Sequence, residues 1–268
     1  MLRQPINTRW TVLLGVLSVL ILLAAYTVIS LRQHQKNPDD TTIPTWKQLQ
    51  AGVKKVIEVN PRSGERWLMV DAEATASRLF LGLLFGVLGA ILLGVLMGCF
   101  PVIEALLAPP LSLLAKVPPT AALAVFFVLV GTDTEMYVTM IAFGILPVLA
   151  QSIYLAVRDV PAEFLYKSYT IGASNAEVIW NIIVRAIFPK LIDTVRLQIG
   201  PAMVYLIAAE MVCGDVGFGY RIRLQSRLLN MNVVYPYLAI LAAFGFAMDF
   251  GLRFAQKICC PWYAHEKG

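Results

Sequence analysis

Two charged residues interrupt long apolar runs and are the first candidates for chemistry. Glu210 lies within 197–213 and Lys116 within 105–132, and each run is otherwise free of charge. A charge at membrane depth is costly unless it faces protein, water or a ligand. Glu210 could therefore line a pathway or an external gate, or it could pair near the membrane boundary with Arg221 or Arg223. Lys116 could attract an anion, or its stem could extend toward the interface.

Three polar or polarisable neighbours are further candidates for lining a pathway, namely Gln198, Met203 and Tyr205. At helical spacing, however, such residues more often serve simple packing. Asp249 and Arg253 stand four residues apart on the last apolar segment, so we expect them to pair with each other.

Catalytic machinery is not found in the sequence. The phosphate-binding pattern G-x-x-x-x-G-K-[ST] does not occur. No Ser/His/acid set can be assembled, and the two histidines and four cysteines lack the spacing of a metal site. The chain is predicted to be no enzyme, with no catalytic residues, no metal site and no cofactor of its own.

The elements that must position these residues are membrane helices. The chain has 268 residues, a mean hydropathy of +0.70 and only 15% charged residues, where a soluble protein carries about 25%. Four segments have the roughly 20 apolar residues that a spanning helix needs: 10–31, 79–103, 136–157 and 228–248. The runs at 105–132 and 197–213 are two further spans. The prediction is an all-α integral membrane protein with about six transmembrane helices.

Basic residues do not decide the orientation. With the N-terminus inside, ten lie on each side of the membrane, so the positive-inside rule gives no answer. The segment 31–75 contains turn-rich stretches around a short amphipathic helix at 45–59.

The polar segment 158–196 has the local signals of a helical hairpin. Asp159 and Pro161 mark a helix start, and Glu163 favours its first turn. Gly172 supplies a left-handed stop near residue 171. Ser174 and Glu177 form a capping box that begins a second short helix, through 184 or beyond. Its charges nearly balance and it exposes aromatic residues, which favours a protein-docking surface over the alternative of a solvated loop.

At these residues the chain resembles a permease subunit of a bacterial ATP-binding-cassette importer, in the branch that carries nitrate, sulfonates, taurine or bicarbonate. The family signature reads Glu-Ala-Ala, three residues, Gly, nine residues, then an Ile-x-Leu-Pro-like element. Gly172, Ala173, Ser174, Ile182 and Pro189 match it.

The chain departs from the signature on the docking face. Tyr166, Lys167 and Ser168 stand at the Glu-Ala-Ala positions, and Arg185 replaces the first proline usual in the branch. The resemblance extends through 74–98, 113–135 and 189–222. It implies a coupling hairpin at 159–188 whose residues are Glu163, Tyr166, Lys167, Ser168, Gly172, Ala173, Ser174 and Glu177, with Pro189 just beyond.

The resemblance also implies the architecture and the partners. The chain would be a type I importer-like permease with an N-terminal helix and external segment at 1–75, a core at 76–258 and a tail at 259–268. It would be a multi-pass protein of the bacterial inner membrane with both termini cytoplasmic. It would form a pathway for a small anionic solute as a homodimer in membrane lipid. A separate ATPase would hold ATP and magnesium, and a binding protein would deliver the solute. No nucleic-acid partner is expected. The alternative is a secondary transporter or channel driven by an ion gradient.

Overall fold

The fold was determined as a computed structural model that describes residues 7–38, 40–59 and 64–265. The described residues form helices and no strand beyond one isolated bridge between Val59 and Arg66. The all-α prediction is confirmed. The first three helices are α1, α2 and α3, at Thr8–Lys36, Trp46–Ile57 and Trp67–Cys99. Parts of the predicted 1–75 segment and of the tail at 259–268 lie outside the described residues.

Eight helices follow in the described part of the chain, and they range from 4 to 29 residues. They are α4 at Pro101–Leu114, α5 at Leu123–Val130, α6 at Thr134–Arg158, α7 at Ala162–Thr170, α8 at Asn175–Val178, α9 at Arg185–Cys213, α10 at Phe218–Arg227 and α11 at Met231–Cys259. A π-helical turn at Ile179–Val184 joins α8 to α9, and a 3₁₀ turn at Pro261–His265 follows α11.

Four of the described helices are long and apolar enough to span a membrane by themselves, namely α1, α3, α6 and α11. The stretch Asn175–Cys213 and α10 form a bent pair that makes a fifth candidate. The predicted span at 105–132 differs from a continuous helix. It is divided into α4 and α5, and the Pro118–Pro119 pair, which lacks two backbone donors, lies in the stretch between them.

One compact unit comprises residues 1–67 and 224–238. Here the predicted amphipathic helix is α2, and Thr45 and Gln48 form a capping box at its start. The Trp46 indole donates to the Thr27 hydroxyl of α1 at 3.0 Å, and the Trp46 ring meets the Tyr26 ring edge-on. These contacts hold α2 against α1.

The second unit comprises residues 68–223 and 239–268 and is organised around α6. Met140, Ile141, Ile145 and Leu149 on this helix are fully buried. Helix α3 packs on it through small residues at every fourth position, which lie at 82, 86, 90, 94 and 98. A Cβ at Gly94 would stand 2.7 Å from the Ala150 carbonyl oxygen. The backbones of α3 and α6 therefore approach each other closely, as they do where small residues line the contact between two membrane helices.

Candidate functional site

The predicted hairpin begins with α7 and turns at Gly172. The amide of Gly172 donates to the Tyr169 carbonyl and that of Ala173 to the Ser168 carbonyl, both at 3.0 Å. This pair of bonds is a Schellman motif, which requires a left-handed residue after the helix. Gly172 has φ +85°, a conformation that a residue with a Cβ adopts only with strain. The predicted left-handed stop is present.

The second limb begins at the predicted capping box. The Ser174 hydroxyl accepts from the Glu177 amide at 3.3 Å, and the Ser174 amide donates to the Glu177 carboxylate at 2.8 Å. The backbone hydrogen bond from Ser174, followed by that from its hydroxyl, lowers the pKa of Glu177 below its usual 4.5. Glu177 is therefore ionised at neutral pH and fixes the turn that follows Gly172.

The second limb is longer than the sequence signals indicated. It passes from α8 through the π-helical turn into α9 and ends at Cys213. Pro189 lies buried inside α9 and its carbonyl accepts from the Gln256 side chain at 2.8 Å. Pro189 therefore fixes the limb to α11 and is no part of the exposed turn. One helical rod runs from the hairpin turn to the far end of α9.

Aromatic and aliphatic side chains face away from the rest of the chain at this hairpin. Tyr166 is 70% exposed and Ile171 is 85% exposed. Glu163, Lys167 and Tyr169 are also exposed. Ser168, at the last Glu-Ala-Ala position, is buried and donates to the Phe164 carbonyl at 2.7 Å. It serves the helix itself and does not face outward.

A shallow groove of about 370 Å³ follows the inner side of the turn, between Ser168, Ile171, Glu177 and Asn181. Its lining mixes polar and apolar groups. The hairpin thus offers exposed side chains and a groove next to each other, with Ile171 belonging to both, which is typical of a surface that docks another protein.

A buried ionic network lies at the opposite end of α9. Glu210 is fully buried and its carboxylate accepts from the Arg78 guanidinium at 3.0 Å, from the Thr75 hydroxyl at 3.0 Å and from the Gly219 amide at 2.9 Å. Glu210 is paired, which agrees with the second of its two expected roles, but the example partners Arg221 and Arg223 do not bind it. The partner is Arg78 on α3.

The same network binds the glycine-rich turn, which is the segment 214–219 between α9 and the first residues of α10, through a second ion pair. Asp71 accepts from the Arg221 guanidinium at 2.8 Å and from the Gly217 amide at 3.1 Å. The Phe218 amide donates to the Thr75 hydroxyl at 2.9 Å. Arg223 instead donates to the carbonyls of Val212 and Gly214.

Arg78 joins the network to the core. Its guanidinium lies 4.1 Å from the centre of the Tyr137 ring on α6 and donates to the Val216 carbonyl at 2.9 Å. Residues 71, 75 and 78 recur at four and three positions on α3, so they share one helix face. That spacing is the signal that could have identified Arg78 from the sequence.

Gly217 has no room for a side chain beside this network. Its φ is +116°, and a Cβ there would stand 2.5 Å from a Glu210 carboxylate oxygen. The turn and the carboxylate therefore fit together only with glycine at this position.

The other predicted pathway residues lie apart from the network. Lys116 is exposed between α4 and α5, and Gln198 and Met203 are half-buried on α9. The half-buried Tyr205 ring would stand 2.5 Å from a Cβ at Gly144 on α6.

The predicted pair between Asp249 and Arg253 is present at 2.9 Å. Arg196 on α9 also donates to Asp249 at 2.9 Å and to Asp193 at 2.8 Å. Within the described part of the chain, no group of three or more His, Cys, Asp or Glu residues could hold a metal ion.

Comparison with known proteins places this arrangement in a family. The family described as the binding-protein-dependent transport system inner membrane component matches residues 79–258. The taurine transport system permease protein of Escherichia coli (strain K12) is 27% identical over 263 residues, which cover 97% of this chain and 93% of that protein.

Two further relatives extend the comparison. The putative aliphatic sulfonates transport permease protein of Bacillus subtilis (strain 168) is 25% identical over 99% of this chain and 93% of its own length. The nitrate import permease protein of Synechocystis (strain PCC 6803) is 23% identical over 74% of this chain and 72% of its own length.

The fold is also that of a solved transporter. A chain of the inward-facing MetNI methionine ABC transporter superposes with a TM-score of 0.63 and 16% identity, over 70% of this chain and 94% of that one. The helical architecture is therefore that of an ABC importer permease. The chain belongs to the family of binding-protein-dependent transport system inner membrane components.

Proposed function

We propose that this chain is the permease subunit of an ATP-binding-cassette importer for a small oxyanion and that it couples through its hairpin to a separate ATPase subunit. The observation that carries the coupling role is the hairpin geometry. A nine-residue helix ends in a left-handed glycine turn, exposes Tyr166 and Ile171, and continues into the long helical limb of α9.

The energy for transport would come from ATP hydrolysis in the partner subunit, which the hairpin would contact. The chain has no phosphate-binding loop, so ATP and magnesium would bind the partner. When two ATPase copies close on nucleotide, α7 would move with them. The second limb would transmit this movement as a rigid body to α9, and α9 packs against α6.

The mechanism needs a second permease and an outer partner. We propose that two copies form the pathway between them and that both termini are cytoplasmic. The hairpin then faces the ATPase, and a periplasmic or lipid-anchored binding protein delivers solute at the other face. The binding-protein-dependent family to which the chain belongs supports the last of these roles.

An oxyanion is the substrate class that fits the relatives. Their names describe permeases for taurine, aliphatic sulfonates and nitrate, which share a compact anionic group. Glu210, the carboxylate that would repel such an anion, is buried and neutralised by Arg78. The pathway is therefore not lined by this negative charge.

A gradient-driven transporter finds no support in the same residues. Proton relays through a membrane commonly use an intramembrane carboxylate that exchanges its proton. Glu210 accepts from one guanidinium, one hydroxyl and one amide, so its oxygens are engaged in the network.

Reconstitution tests the proposal. The chain is expressed with its ATPase and binding protein, and uptake of labelled taurine, an alkanesulfonate and nitrate is measured in proteoliposomes. We expect ATP-dependent uptake of one of them that requires the binding protein and survives an uncoupler at constant ATP. Uptake that proceeds without the ATPase, or that collapses with the uncoupler, would contradict the proposal.

A further inference from the structure

The span divided between α4 and α5 places irregular backbone inside the membrane. The two helices have 14 and 8 residues, or about 21 and 12 Å at about 1.5 Å per residue. Together they match a hydrocarbon core of about 30 Å, but neither crosses it alone. A membrane crossing built from both helices would place the segment between them, 115–122, within the membrane.

Contacts with α6 give the depth of this break. Glu104 in the first turn of α4 binds Arg158 at the end of α6 at 3.3 Å, so the two helices run antiparallel. The Pro119 ring would stand 2.9 Å from a Cβ at Gly144, the eleventh of the 25 residues of α6. The break therefore lies near the middle of the span.

Lys116 is an uncompensated charge at this depth. Its side chain is exposed and its ammonium makes no hydrogen bond or ion pair within the described part of the chain. Arg78 and Arg196, by contrast, each bind carboxylates. From the middle of a membrane of about 30 Å, a four-carbon stem cannot bring its charge to either interface. The ammonium therefore needs water or an anion beside it.

The start of α5 adds a second attraction for anions. Ala122 at its N-cap provides no side-chain acceptor for the amides of the first turn. These amides carry the positive end of the helix dipole, and the hydroxyl-bearing Thr120 is exposed two residues before. Interrupted helices at the membrane midplane bind anionic groups of substrates in this way.

We propose that the Lys116 ammonium and the start of α5 form the subsite that holds the anionic group of the solute in the translocation pathway. The ligand class is a small oxyanion, such as a sulfonate or nitrate group. The proposal rests on the proposed importer function. Tyr205 lies beside the subsite, because its ring and that of Pro119 converge on Gly144.

The first experiment separates charge from fold. Lys116→Met removes the charge at similar length, Lys116→Arg keeps it, and Lys257→Met is the control at an exposed lysine in the last turn of α11. In reconstituted complexes we expect Lys116→Met to lower oxyanion uptake about tenfold or more. Lys116→Arg and Lys257→Met should stay within about twofold of the parent, and ATP hydrolysis stimulated by the binding protein should persist in all three.

The second experiment tests the surroundings of residue 116 even where Lys116→Met assembles poorly. Lys116→Cys, in a background without the four native cysteines, is treated with water-soluble thiol reagents in the assembled complex. A reagent that attaches an ammonium should restore uptake, and one that attaches a sulfonate should not. Absence of labelling, or wild-type uptake by Lys116→Met, would overturn the subsite. Failure of the parent complex to transport any of the anions would instead contradict the importer proposal.

Discussion

The far end of α9 and the hairpin from which its limb begins differ in how fully their side chains are buried. At one end, Glu210 and Arg78 are buried, with 0% and 8% of their side chains exposed. At the other end, Tyr166 and Ile171 are largely exposed, although the turn between the hairpin helices is tightly defined by backbone bonds.

The difference shows where the chain is self-sufficient and where it needs a partner. Charges in an apolar interior must be neutralised within the subunit, so the network satisfies itself and fixes the glycine-rich turn. Hydrogen bonds fix the backbone of the hairpin, but the rest of the chain does not bury side chains such as Tyr166 and Ile171. On the proposed function the surface of the hairpin would gain its contacts from the ATPase, and α9 connects that surface to the fixed end.

The largest effect should come from breaking the buried pair. Glu210→Leu leaves the Arg78 guanidinium buried without its carboxylate, which costs about 3–5 kcal/mol of unfolding free energy. Thermal unfolding of the detergent-solubilised protein measures this loss. Glu163→Leu, at an exposed hairpin position, is the control and should change the unfolding temperature little.

A double variant sharpens that prediction. Arg78→Met combined with Glu210→Leu removes both charges, so we expect it to recover part of the lost stability. If the single Glu210→Leu variant unfolded at the parent temperature, the network would not stabilise this end of the molecule.

The next effect concerns the fit of the glycine-rich turn. Gly217→Ala introduces a Cβ at 2.5 Å from the Glu210 carboxylate and strains a φ of +116°. We expect a loss of about 1–3 kcal/mol for the backbone alone, with the steric contact in addition. Gly64→Ala is a milder control, because Gly64 has φ +71°, close to the left-handed region open to other residues, and nothing within 4 Å of a Cβ. Equal unfolding temperatures for the two variants would argue against the contact.

The hairpin should respond more in function than in stability. Gly172→Val places a β-branched residue at φ +85°, which costs about 1–2 kcal/mol and disfavours the native turn about 5- to 30-fold. Stimulation of the partner ATPase should fall accordingly, while membrane insertion is retained. Gly64→Val is the control for strain, because Gly64 also has a positive φ, of +71°. The two variants should unfold at similar temperatures, and only Gly172→Val should lose stimulation. Unchanged stimulation by Gly172→Val would refute the hairpin role.

The smallest effect is a pH dependence of the capping box. The pKa of Glu177 is lowered in the folded hairpin, so its contribution is fully present above the usual 4.5 and is lost as pH falls through the lower folded value. The protection of the Val178 and Glu177 amides from hydrogen exchange, relative to their intrinsic exchange rates at each pH, should decrease below about pH 4.5. Glu177→Gln should remove this pH dependence, and an identical profile in both proteins would contradict the assignment.

Local signals in the sequence predicted the hairpin well because its shape depends on neighbours in the chain. Gly172 and the Ser174–Glu177 box each act over three to five residues. The continuation of the second limb into α9 was not predictable from such signals, since polar residues and Pro189 in that stretch are accommodated by tertiary contacts such as the Gln256 bond.

The sequence could not show which residues bind each other when they lie far apart in the chain. The Glu210–Arg78 bond joins residues 132 positions apart, so only packing of α3 on α9 reveals it. The sequence did identify Glu210 and Lys116 as unusual by their cost in an apolar run. It did not show that one is neutralised and the other is not, because that difference depends on which helix faces each residue.

Cross-linking of the hairpin tests the central claim most directly. Ile171→Cys in a background without the native cysteines is treated with a short bifunctional reagent in the presence of the partner ATPase, with Ile57→Cys on α2 as the control. We predict a specific cross-link from residue 171, which is 85% exposed, and none from residue 57. An active complex without a cross-link from residue 171, or with equal cross-linking from residue 57, would contradict coupling through the hairpin.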